Sequence, residues 1–66
     1  MKLNVRTIEY QRVERQLSVV GLADLVGVTR YTMSKAIKTG NVSPMLAGKI
    51  CKALNLKPEE VVILDQ

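Results

Sequence analysis

Histidine, tryptophan and phenylalanine are absent from this sequence, and cysteine occurs once, at Cys51. Each absence excludes something. A single thiol closes no disulfide within the chain. One cysteine without histidine does not supply the four ligands of an ordinary zinc site, so neither a metal nor a cofactor is expected. No histidine, no glycine-rich phosphate loop and no serine–base pair is present. The six acids are scattered, apart from Glu59 and Glu60 at a helix start. Such a chain offers no catalytic constellation and too little bulk to enclose a pocket, so it reads as a non-enzyme with no small-molecule ligand. No apolar run approaches the ~20 residues of a transmembrane helix, which argues against a membrane partner. The opening MKLNVRTIEY lacks the apolar core of a signal peptide. With the lone thiol, these absences point to the cytoplasm.

What remains is short, apolar and basic. The 66 residues are 47% apolar, with ten Lys and Arg against six Asp and Glu, a formal charge of +4. That length suits one domain, residues 1–66, which buries only ~60% of its unfolded surface. Domains of this size often gain stability by oligomerising, and the length leaves no room for a separate dimerisation domain. The charge is unevenly spread. No acid lies between Asp24 and Glu59, a stretch holding Arg30, Lys35, Lys38, Lys49, Lys52 and Lys57. An uncompensated positive field of that kind attracts a polyanion. Charge alone fits a solvated basic surface equally well.

Periodicity predicts an all-α bundle of about five short helices. Residues 1–6 read as a short strand or a frayed lead-in. A first helix is expected over about Thr7 to Gln16, with Tyr10, Val13 and Leu17 on its inner face. Ser18 is an N-cap candidate for a second helix, Val19 to Val26, whose inner face is Leu22, Ala23 and Val26. Nothing local explains Gly21 there, where glycine is unfavourable by ~1 kcal/mol relative to alanine. Gly27 suits the left-handed residue after a helix. Val28 reads as a buried plug and Thr29 as the next N-cap. The third helix, Arg30 to Thr39, splits cleanly, with Met33, Ala36 and Ile37 on one side and Arg30, Ser34 and Lys38 on the other. Tyr31 and Lys35 flank that second side. Ser43 and Pro44 open a fourth helix to about Leu54, with Leu46, Ala47, Ile50, Ala53 and Leu54 inward and Lys49 and Lys52 outward. Pro58 opens a fifth helix carrying Val61, Val62, Ile63 and Leu64. Four consecutive apolar residues do not all fit one small core, so part of this run is expected to meet a second chain.

The segment LSVVGLADLVGVTRYTMSKAIKTG, Leu17 to Gly40, carries the functional signal. A short helix, a turn at Gly27 and a capped second helix are joined by apolar positions Leu22, Val26, Val28, Met33 and Ala36. Ala23, four residues before Gly27, permits close helix crossing. This spacing resembles the helix-turn-helix of the lambda repressor and Cro family, also called the XRE family. The resemblance extends through Pro44 to Leu54 and LKPEEVV, about Leu17 to Val62 in all. It implies a recognition helix that enters the major groove of a double-stranded DNA operator. By position, Thr29, Arg30, Tyr31, Ser34 and Lys35 would meet bases or the groove, while Ser18, Lys38 and Asn41 would touch phosphates. Val19 departs from the family, which often has glutamine there to bond a phosphate. The implied role is a phage-type regulator that occupies an operator as a weak homodimer through Val61, Val62, Ile63 and Leu64. Two other readings are an antitoxin-like interaction module on the same fold and a nonspecific nucleic-acid binder. Among plainer assignments, Tyr31 packs over the turn, Lys49, Lys52 and Lys57 are solvated, and Cys51 is a small boundary residue.

Overall fold

The computed structural model describes residues 1–64. Helices α1 (Val5–Arg15), α2 (Val19–Val26), α3 (Arg30–Thr39), α4 (Pro44–Leu54) and α5 (Pro58–Val61) are framed by two short strands, β1 (Lys2–Leu3) and β2 (Val62–Ile63). The strands pair antiparallel, Lys2 opposite Ile63 and Leu3 opposite Val62.

Side-chain caps define most helix starts. Ser18 accepts from the Gly21 amide, Thr29 from Thr32 and Ser43 from Leu46. Each satisfies one of the amides a helix start leaves without a partner. Left-handed residues end four helices. Gly27 (φ 88°) and Gly40 (φ 73°) reach that region without strain, whereas Gln16 and Asn55 adopt it at φ 56° and 55°. Arg15 adds a contact between elements, its Nη2 donating to the Leu54 carbonyl at the end of α4 (3.0 Å).

Leu22, Ala23 and Val26 from α2, Met33 and Ala36 from α3, and Ala47, Ile50 and Leu54 from α4 form the core. Leu3, Ile8, Val42 and Val61 close it from the remaining segments, and no polar or charged side chain is buried among the described residues. Half-buried Val28 packs against this cluster and so plugs the turn only in part.

Three expectations are corrected. The first helix begins at Val5 because the Asn4 side chain accepts from the Thr7 amide (3.3 Å). Its buried residue is Ile8, while Tyr10 and Val13 are 65% and 76% exposed. The supposed inner stripe therefore faces outward, and Leu17 lies beyond the helix. The C-terminal run is not one helical face. α5 stops at Val61 because Val62 is extended (φ −122°, ψ 151°), and the chain turns into β2. Val61 is 0% exposed and belongs wholly to the core, so it has no surface to offer a partner. Val62 is half-buried, and Ile63 and Leu64 are exposed. Gly21 has a local reason after all, because a β-carbon there would crowd Leu17 Cδ2 at 3.3 Å and Ser18 Oγ at 3.4 Å.

Candidate nucleic-acid interface

α2 and α3 are joined by a two-bond turn. The amides of Gly27 and Val28 both donate to the Ala23 carbonyl, at 2.8 and 3.0 Å. Ala23 is 1% exposed and belongs to the core, so a larger side chain there would have to displace its neighbours. Met33 and Ala36 anchor the inner side of α3. That anchoring turns Arg30, Tyr31, Thr32, Ser34, Lys35, Lys38 and Thr39 outward, all of them exposed. Ser18, Thr29 and Asn41 are exposed as well, so each DNA-contact residue expected from the sequence lies at the surface.

The side chains of this face are partly ordered by one another. Thr29 Oγ1 accepts from the Thr32 amide (3.1 Å) and donates to Thr32 Oγ1 (2.9 Å). Its hydroxyl is thus committed to the cap, and the free donor at this end of the helix belongs to Thr32. Sequence reading passed over Thr32. Its spacing three residues, about one turn, before Lys35 was the available signal. Lys35 Nζ lies 5.9 Å from the centroid of the Tyr31 ring, within cation–π range. Tyr31 is 73% exposed, so it does not pack over the turn.

At the far end, Thr39 Oγ1 donates to the Lys35 carbonyl (2.8 Å) and accepts from the Asn41 amide (3.2 Å). These bonds fix the loop against the last turn of α3. Tyr31, Lys35, Thr39, Asn41 and Ser43 line an open groove of about 530 Å³ beside the helix. The only ion pair among the described residues is Arg12–Glu9 (2.7 Å), remote in sequence from this face. Arg30, Lys35 and Lys38 therefore keep uncompensated charge. Lys49 and Lys52 are exposed around a separate shallow hollow with Leu25 and Gly27. Burial raises the thiol pKa of half-buried Cys51, which disfavours the reactive thiolate. No group of three or more His, Cys, Asp or Glu able to hold a metal occurs among the described residues. No helix there is long and apolar enough to cross a membrane.

A glycine-turned helix pair whose second helix is anchored on one side and cationic on the other defines a helix-turn-helix DNA-binding module. Residues 7–66 match the Cro/C1-type HTH DNA-binding domain, and the chain belongs to that family. It is also 47% identical over 47 residues to YgzD of Bacillus subtilis (strain 168), described as an uncharacterised HTH-type transcriptional regulator. That alignment covers 68% of this chain and 70% of the relative. No solved structure matches the chain.

Proposed function

We propose that this chain is a transcriptional regulator that reads a double-stranded DNA operator through α3. One observation carries the reading: α3 buries Met33 and Ala36 while holding Arg30, Ser34, Lys35 and Lys38 clear of the fold. In this reading the single domain 1–66 works in the cytoplasm and acts by occupancy, excluding polymerase or a rival regulator. Arg30, at the start of α3, meets guanine O6 and N7. Thr29, Tyr31, Ser34 and Lys35 line the groove, with Thr32 as a further donor. Ser18, Lys38 and Asn41 hold the phosphate backbone.

Two copies bind together as a weak homodimer. Ile63 and Leu64, 50% and 67% exposed, supply the apolar contact, with Val62 at its margin. Paired to β1 on one side, β2 has a second edge to offer an identical strand. Two recognition helices then meet half-sites roughly 34 Å apart, about one turn of duplex. The same exposed edge favours the second reading, an interaction module of antitoxin type, in which a different protein takes that place.

Binding selection from a random duplex library tests the reading. The wild-type chain should enrich one motif. Arg30→Ala should lose preference at one base position per half-site, by ~1–3 kcal/mol. Even weakening on all duplexes points to a nonspecific binder. Indifference to the substitution points to the interaction module.

A further inference from the structure

We propose that Lys2 is an additional DNA-backbone contact, delivered to the operator face by the pairing of β1 with the loop after α3. The inference rests on the reading that Asn41 faces phosphate. Periodicity left residues 1–6 open between a short strand and a frayed lead-in, and the backbone ties Met1 to Leu3 to that loop. Leu3 N donates to the Gly40 carbonyl and Val42 N to the Met1 carbonyl, both at 2.9 Å. Lys2 and Asn41 are thereby bridge partners in an antiparallel ladder. The two bonds flank the pair, which makes it the non-hydrogen-bonded kind, with α-carbons only ~4.5 Å apart.

Directly opposed residues in such a ladder project to one face, and successive residues along a strand alternate. Leu3 and Val42 are buried, so Lys2 and Asn41 share the outer face, both exposed. The Lys2 side chain thus stands beside Asn41 on that face. It makes no ion pair among the described residues. Because β1 is held on both sides, by Asn41 and by β2, the cation is mounted on ordered backbone. Such a contact positions the chain without reading sequence, as phosphate contacts do.

Lys2→Gln tests this against Arg6→Gln, a change of equal charge on α1, where Arg6 lies 6.0 Å over the Tyr10 ring. Each variant is titrated onto the selected duplex and a scrambled one between about 50 and 200 mM salt. Lys2→Gln should weaken binding several-fold on both duplexes, and the slope of log K against log salt should become shallower by roughly one per bound protomer. Arg6→Gln should leave the slope at the wild-type value, and Lys2→Arg should restore it. Lys2→Thr, which keeps strand propensity, should repeat the Gln result, separating charge from folding. An unchanged slope in Lys2→Gln and Lys2→Thr, or an equal change in Arg6→Gln, overturns the proposal. The operator reading itself stands or falls separately, on motif selection and on Arg30→Ala.

Discussion

Arg30 and Met33 show how one turn of helix divides its labour. Met33 is 0% exposed, and its side chain helps set the angle at which α3 leaves the fold. Truncating it to alanine should destabilise the domain by ~2–5 kcal/mol in urea unfolding, a large share of what so small a domain possesses. Arg30→Ala should leave the unfolding curve nearly unchanged, because the side chain is exposed and makes no ion pair among the described residues. Tyr10→Ala and Val13→Ala should likewise shift stability by only ~0.5 kcal/mol, despite their apolar character. Gly27→Ala differs again. A β-carbon would touch nothing within 4 Å, so its effect is purely conformational at φ 88°. A loss of about 1–2 kcal/mol is expected, readable in the same unfolding series.

At the scale of elements, the caps are the parts most open to test. Thr29→Ala should remove the bond to the Thr32 amide and lower stability by about 1 kcal/mol. It should also free Thr32 Oγ1 from its neighbour, so stability and DNA affinity should change together. Ser43→Ala should lower stability by a similar amount. These caps were legible from the residues alone, because Ser or Thr before an apolar-periodic run satisfies specific amides. α2, α3 and α4 accordingly have the bounds their patterns imply. α1 was less legible. Its true anchor, Ile8, is a lone buried residue near its start, and the helical spacing of Tyr10 and Val13, both outward, with Leu17 beyond the helix outweighed it. The turn of the chain into β2 was hidden for a different reason. Two-residue strands have no measurable period, and Lys2–Leu3 meets Val62–Ile63 from the opposite end of the sequence. The extended preference of Val62 and Ile63 was present but not decisive without that partner. Of the site, the cationic side of α3 followed from spacing, whereas the commitment of Thr29 to its cap needed coordinates.

For the whole molecule, two surfaces adjoin, because Ile63 stands opposite Lys2 and Lys2 opposite Asn41. One presents α3, the following loop and the start of α2. The other presents the free edge of β2 with Ile63 and Leu64. In the homodimer reading, Leu64→Asp should shift sedimentation toward monomer and weaken binding to a two-half-site duplex more than to a single half-site. Binding to the single half-site should stay close to wild type. Affinity should also fall steeply with salt, since each phosphate neutralised releases counterions. The central claim is that the outward side of α3 lies against the duplex, and amide chemical-shift mapping of the folded protein tests it most directly. On titration with the selected duplex, the largest changes should fall at Ser18, along Arg30 to Lys38 and at Asn41. Changes confined to Ile63, Leu64 and the exposed side of α1, with α3 silent, would contradict the account.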